Sequence, residues 1–370
     1  MFLLYIILLF YFIFFLIMMV GFCCSLSLNK IKKDGLNPNL ISIIISVRNE
    51  YNRLDPLLKS LESQSISAEN FELIFVDDHS SDNTIDKLKS WSLESNVNIK
   101  ILSLEQSKNG KKNALQKGIE SAVGNYILTL DADVSFSSDF IFSISFYTNK
   151  SRDLYFIPVL ENYKGNIFSK IESYMLSLVT IGSAKLNHPL LLNGAAMLFR
   201  KDCFIELQPF SNNNHILSGD DIFLLESFIK HNKSFEVISP NISFVNTESP
   251  MSYWQYLRRG IRWSGKMKFS KLHSTKFIGF LVLFTNYIVL GLIIFLMFKP
   301  SISLFIIIAS KFFIDFIGLL LTVIIYRNSF LLLSSPLMLL FYPFHLLILF
   351  VCSFFNLQTN WKGRVLIEKK

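Results

Sequence analysis

Acidic residues at the ends of strand-like runs are the part of this chain best suited to chemistry. FELIFVDD closes on Asp77 and Asp78, and YILTLDAD closes on Asp131 and Asp133. Ser218-Gly219-Asp220-Asp221 leads into an amphipathic helical pattern over Ile222–Lys230. The runs ahead of the first two pairs are continuous and apolar, as in parallel strands buried on both faces. In an open α/β sheet, ligands bind just beyond the carboxyl ends of the strands. Carboxylates placed there suit a divalent cation, Mg2+ or Mn2+, together with a nucleotide diphosphate.

Each acidic site also has a plainer role to set against this one. Alternate residues on a strand point to opposite faces, so Asp131 and Asp133 converge only where the strand turns into a loop. There they can hold a cation that neutralises charge on a departing diphosphate, or merely cap a turn. Of Asp77 and Asp78, one can cap the next helix while the other, Asp78 by preference, contacts the base or ribose of a nucleotide. Asp220 and Asp221 combine an N-cap with a general base that removes a proton from an acceptor hydroxyl, Asp221 being favoured. Further on, the spacing of Arg259, Arg262 and Trp263 places them on one helical face, with Tyr253, Trp254 and Tyr256 just upstream. The same residues also suit a belt of aromatic and basic groups at a membrane interface.

The elements that position these residues alternate regularly. Strands are predicted at Leu40–Val47, Phe71–Asp77, Asn98–Leu104 and Tyr126–Leu130, with helices near Leu54–Ser63, Thr84–Trp91 and Gly110–Ala122. Ser80 to Asn83 offer the N-cap of the second of these helices. Such β-α-β-α order is the signature of a doubly wound sheet. Past it, a helix is predicted near Asp139–Tyr147, a strand near Leu154–Pro158 and a helix over Phe168–Ile181. Asn193–Arg200 (NGAAMLFR), small and then apolar, suits a pocket floor.

Both ends are apolar. The chain has 370 residues, 51% of them hydrophobic, and the excess flanks a more polar middle from about Lys30 to Lys276. Phe2 to Phe22 is long enough to span a bilayer. A cleaved signal peptide is the rival, but no Lys or Arg precedes Lys30 and Cys23-Cys24-Ser25 is a poor cleavage site. Lys30, Lys32 and Lys33 then place the middle segment in the cytoplasm. Phe277–Phe298, Ile302–Tyr326 and Phe330–Phe355 are further spanning candidates, and Pro336 and Pro343 break the last into a re-entrant or interfacial pair. Lys311 and Asp315, inside the second, can pair at i, i+4 or the lysine can snorkel; His345 is read as a packing residue. The expected division is an anchor at 1–28, a catalytic domain at 38–250, an interfacial segment at 251–276, a spanning region at 277–356 and a basic tail at 357–370. Cys23, Cys24, Cys203 and Cys352 have no metal-ligand spacing, and a cytosolic domain disfavours disulfides. The net charge of +8 gathers near the membrane ends, so anionic lipids and not nucleic acid are the expected partner.

In order along the chain, SVRNE (46–50), FVDDHSSDNT (75–84), GKKNALQKGI (110–119), LTLDADV (128–134), NGAAMLFRK (193–201), SGDD (218–221) and RGIRW (259–263) resemble the family 2 glycosyltransferases of GT-A fold, in particular the membrane-anchored branch. The resemblance implies a Rossmann-like, mostly parallel α/β domain in the cytosol, with transmembrane helices at both ends, at a bacterial inner membrane. It implies inverting transfer from a nucleotide sugar, typically UDP-linked, to a hydroxyl of a lipid or other membrane-bound acceptor. A processive polysaccharide synthase is the alternative, and a non-catalytic scaffold a third. By the same resemblance Asp78, Asp77, Glu50, Lys112, Asp131 and Arg259 bind the donor. Asp133 is the more direct metal ligand, with Asp131 beside it. Asp221 with Asp220, Arg262 and Trp263 complete the catalytic set. Two positions depart from the pattern: Arg259 stands where the family often has Gln, and His79 where Gly is common. Trp361-Lys362-Gly363-Arg364 is similar to a tail motif of some of these membrane enzymes.

Overall fold

The computed structural model describes residues 2–27, 39–162, 164–211, 213, 216, 218–354, 360–361 and 364–365. Lys30, Lys32 and Lys33, on which the topology rested, lie outside the described residues, as do Lys362, Gly363, Lys369 and Lys370. In chain order the helices are α1 (Phe2–Cys24), α2 (Asp55–Glu62), α3 (Thr84–Glu94), α4 (Lys111–Ser121), α5 (Phe140–Thr148) and α6 (Ile167–Lys185). They continue as α7 (Lys201–Leu207), α8 (Asp220–Lys230), α9 (Tyr253–Phe269), α10 (His273–Phe298), α11 (Ile302–Ile325) and α12 (Phe330–Phe354). The strands are β1 (Ile41–Val47), β2 (Phe71–Asp77), β3 (Asn98–Ser103), β4 (Tyr126–Leu130), β5 (Val134–Phe136) and β6 (Leu154–Phe156). After these come β7 (Val159–Glu161), β8 (Ala196–Arg200), β9 (Phe235–Val237), β10 (Val245–Thr247) and a terminal hairpin, β11 (Asn360–Trp361) with β12 (Arg364–Val365).

The chain divides into two units. The sheet unit holds Ser25–Asn162, Leu191–Glu248 and the terminal hairpin. Its main sheet runs β3-β2-β1-β4-β8-β6-β9. The first four strands are parallel, in register from Ile41 opposite Phe71 and Tyr126, and β8 joins β4 antiparallel. Strand order reverses beside β1, the place where open α/β sheets bind ligands. β1, β2 and β4 are mostly apolar, as both faces are covered: Ile41, Ile43, Ile45, Leu73, Phe75 and Leu128 are fully or almost fully buried with Leu54, Leu57 and Leu88. Gly118 of α4 lets that helix close on β1, since a Cβ there would lie 2.5 Å from Ile44 Cγ2.

One local expectation needs correcting. The strand predicted over Leu154–Pro158 stops at Phe156 as β6, and β7 begins beyond Pro158 in a different sheet. Proline has no N–H for a ladder, and the Pro158 carbonyl instead accepts from Val245 N at 2.9 Å. Asn83 stands at the N-cap of α3 without a side-chain bond, and Asp82 Oδ1 accepts from Thr84 N at 3.1 Å.

The helical unit holds Met1–Cys24, Tyr163–Leu190 and Ser249–Thr359. Thus α6, though inside the 38–250 segment by sequence, groups with α1 and α9–α12. Within α1, Leu4–Cys24 is long and apolar enough to cross a membrane, as are α10 and α11. In α12, Phe330–Met338 and Leu340–Cys352 meet at a 61° bend. Pro343 explains its place: the ring clashes with the carbonyl of residue 339, four positions back.

α1 and α6 cross through two glycines. A Cβ at Gly182 would sit 2.3 Å from Met18 O, and one at Gly21 would sit 2.3 Å from Gly182 O. Small residues at such crossings let backbones approach within van der Waals contact. Gly182→Ala is therefore expected to force the pair apart and cost on the order of 2 kcal/mol, as overpacking does. Thermal unfolding in detergent checks this against Gly279→Ala and Gly291→Ala, where nothing lies within 4 Å of the added carbon.

Some of the buried polar groups in the same unit are paired across helices. Lys311 and Asp315 pair at 2.8 Å, with side chains only 1% and 7% exposed, so the lysine does not snorkel. Tyr11 of α1 donates to Asp315 Oδ1 at 2.7 Å, and Lys311 donates to Asn286 Oδ1 of α10 at 2.8 Å. His345 packs as expected, buried and stacked on Tyr256 with centroids 4.3 Å apart.

Candidate active site

The first turn of α4 is the hub of the sheet unit's acidic residues. Gly110 precedes the helix at φ +94°, a left-handed conformation that favours glycine. Its N–H donates to Asp78 Oδ2 at 3.1 Å. The next residue, Lys111, reaches Asp131 Oδ1 at 2.7 Å, Asp220 Oδ2 at 2.8 Å and the Gly194 carbonyl at 2.9 Å. One helix start thus ties together acids from the ends of β2 and β4 and the beginning of α8. Burial opposes the Lys111 charge, but Asp131 and Asp220 overcome it and hold the ammonium above its ordinary range.

The adjacent acids separate by role. Asp77 accepts from Ser80 N at 3.1 Å and shapes the loop after β2, which leaves Asp78 to face α4. His79 takes φ +58°, the conformation that makes glycine common at such a position, and its Nε2 meets Lys108 O at 2.9 Å. Asp220 is buried against Lys111, while Asp221, half-buried, accepts from Ile222 N at 2.9 Å. Gly194 lies against both: a Cβ there would be 3.4 Å from Asp220 Oδ2 and from Asp221 Oδ2. The NGAAMLFR run therefore supplies both a wall at Gly194 and the antiparallel strand β8.

Asp133 is held by Arg53 through Oδ2 and accepts from Thr247 Oγ1 at 3.4 Å. Burial, then Asp131, push its carboxyl up to about 6, against the pull of Arg53. Asp131 and Asp133 fit an open Mg2+ or Mn2+ site, being hard oxygen donors whose mutual repulsion a cation would relieve. Among the described residues no cluster of three or more His, Cys, Asp or Glu side chains forms a cage. Such a cation commonly takes one or two carboxylates and completes its shell from substrate phosphates and water.

Sequence reasoning named Lys112, but Lys112 turns from the acids to the Asn213 carbonyl and the face of Phe223, 4.8 Å from the ring centroid. Burial pulls its ammonium down to about 8, with Asp220 pulling it back. Its folded pKa lies below the unfolded 10.5, so the unfolded chain binds more protons between those values and the group's contribution to stability rises with pH there. Lys112→Met is accordingly expected to be more stable than wild type at pH 7, by about 1–3 kcal/mol, with the gap in Tm closing above pH 8.

Lys111, Arg53 and Glu248 were missed. Lys111 lies in the GKKNALQKGI motif, and which of two adjacent lysines faces the acids depends on helix phase, not residue type. Arg53 and Glu248 left no signal, since their partners are remote in sequence. Glu50, buried, donates its N–H to Thr84 Oγ1 at 2.8 Å and lies 3.5 Å from the Arg53 guanidinium. Arg259, Arg262 and Trp263 belong to α9 of the helical unit. There Arg259 bonds Ser169 and stacks over Trp263, 4.7 Å from its centroid, which confirms the shared face of i and i+4.

A glycosyl transferase family 2 model matches residues 42–207, and a glycosyl transferase family group 2 model matches residues 126–357. The chain is 30% identical over 169 residues to a poly-β-1,6-N-acetyl-D-glucosamine synthase of Staphylococcus epidermidis, covering 44% of this chain and 39% of that protein. Over 98 residues it is 37% identical to an undecaprenyl-phosphate 4-deoxy-4-formamido-L-arabinose transferase of Proteus mirabilis, covering 26% and 29%. This chain covers about a third of the length of the curated relatives it matches. A mannosyltransferase from Pyrobaculum calidifontis, solved with GDP-Man and Mn2+, has the same fold, with a TM-score of 0.53, 12% identity and 96% coverage of both chains. With one family match alone running over more than half its length, this chain belongs to the family 2 glycosyltransferases of GT-A fold.

Proposed function

We propose that the chain is an inverting glycosyltransferase. It moves a sugar from a nucleotide donor, UDP-linked by preference, to a hydroxyl of a lipid acceptor at a bacterial cytoplasmic membrane. The sheet unit is assigned to the cytosol. The observation that carries this reading is the gathering of Asp78, Asp131 and Asp220 on the first turn of α4. Two relatives bear the names of a polysaccharide synthase and an undecaprenyl-phosphate transferase, and three helices here are long and apolar enough to cross a membrane.

In this mechanism Asp78 orients the nucleoside, with Asp77 and Glu50 shaping the loops around it. Asp221 takes the proton from the acceptor hydroxyl, whose oxygen attacks the anomeric carbon as the bond to the nucleotide diphosphate breaks. Asp220 is committed to Lys111, so Asp221 is the residue assigned as base. A Mg2+ or Mn2+ held by Asp133 and Asp131 would neutralise charge on the leaving diphosphate. Lys111, beside Asp131, adds a fixed positive charge for the same oxygens. Arg259, Arg262 and Trp263 are assigned to substrate recognition from α9.

Donor turnover tests the reading. Purified protein with Mg2+ or Mn2+ is expected to hydrolyse a UDP- or GDP-sugar slowly without acceptor, and Asp133→Ala to lose that activity by at least about a hundredfold. No turnover of any such donor by the wild type would remove the enzymatic assignment. Mass spectrometry of lipids from cells with and without the chain then identifies the acceptor, and a ladder of sugar additions would mark a processive synthase.

A further inference from the structure

Arg53 has no part in the mechanism above, yet one guanidinium joins three carboxylates. Its Nε donates to Glu248 Oε2 at 2.6 Å, one terminal nitrogen lies 3.5 Å from Glu50 Oε2, and the other bonds Asp133 Oδ2. The backbone holds it there: Arg53 N and Leu54 N both donate to Glu50 O, at 2.8 and 3.1 Å, in the turn that enters α2. The Arg53 side chain is 36% exposed and that of Asp133 only 17%, so Arg53 is the more open partner of a mostly covered carboxylate.

Arg53 takes an oxygen of Asp133 that is also a donor for a divalent cation. The other oxygen of Asp133 already accepts from Thr247. A guanidinium and a metal ion compete for one carboxylate oxygen at close range, because both are positive and both draw on its lone pairs. Displacement need not send the arginine away, since Glu248 and Glu50 still hold it.

On the glycosyltransferase reading, we propose that Arg53 is an internal counter-cation. It occupies the metal-facing oxygen of Asp133 in the donor-free enzyme and yields only when cation and donor diphosphate arrive together. Glu248 and Glu50 then retain it beside the site. Arg53 is thus a positioning residue that suppresses binding of bare cation and makes metal binding depend on donor.

Mn2+ titration followed by electron paramagnetic resonance of the free ion tests this, on the full chain in detergent and without nucleotide. Arg53→Gln is expected to bind Mn2+ roughly fivefold to tenfold more tightly than wild type, the scale of a partly buried ion pair. Arg53→Lys, which keeps the charge, is expected to stay within about twofold of wild type. Adding UDP is expected to tighten Mn2+ binding more in wild type than in Arg53→Gln. A gain in affinity is something a merely structural arginine would not give, because its loss would only loosen the site. Arg53→Met replaces the glutamine variant should that one not fold. Equal Mn2+ affinity in wild type and Arg53→Gln, or a lysine variant as tight as the glutamine one, overturns the role of Arg53 and leaves the enzyme assignment standing. Absence of Mn2+ binding in every variant, with and without UDP, overturns the metal role of Asp133 and with it that of Arg53, while donor turnover decides the enzyme assignment.

Discussion

Asp221→Asn is expected to slow sugar transfer about 10³-fold while leaving donor affinity within twofold of wild type. Asparagine keeps the shape and the acceptor oxygen that meets Ile222 N, but it cannot take a proton from the acceptor hydroxyl. Asp220→Asn should behave differently. It halves the negative charge facing Lys111, so its effect falls on donor affinity and stability before chemistry. Calorimetric titration with UDP beside single-turnover transfer separates the two. Transfer by Asp221→Asn at the wild-type rate would take the base assignment away from Asp221.

Lys111→Met should do the widest damage, because it strips a cation that Asp131 and Asp220 share. Removing one partner of a buried pair leaves an uncompensated charge, which typically costs 3–5 kcal/mol. Asp131 is more than a third exposed, so water screens part of the loss and about 2–3 kcal/mol is the fair expectation. Donor turnover should fall at least about a hundredfold, since a fixed charge facing the diphosphate oxygens is lost as well. The double variant Lys111→Met/Asp220→Asn is expected to recover most of the stability and none of the turnover. Denaturant unfolding read beside donor hydrolysis checks both halves. A single variant as stable and as active as wild type would mean that the bridge is only a surface contact.

The core of the sheet unit was legible because its central strands, β1, β2 and β4, are buried on both faces and leave an apolar signature. Predicted and observed bounds of the first four strands agree to within a residue at each end. The second half was harder to read, since β5, β7, β9 and β10 have only three residues each. A run that short has no period, and proline at 158 decides its pairing more than hydrophobicity does. The acidic residues were legible by type and by place after a strand. Their cationic partners were not, because a lysine or arginine looks the same in sequence whether it faces water or a carboxylate from 80 residues away.

From sequence alone came the elements, the apolar segments at both ends and the family, all properties of local composition and ordered motifs. Tertiary structure alone decided that Lys111 and not Lys112 bridges two aspartates, that Arg53 caps Asp133, and that α6 joins the helical unit through Gly182 against Met18. The reason is common to all three. Helix phase and backbone approach are settled by what packs across the chain, at distances of a few ångströms, and the order of residues along one segment does not carry that information.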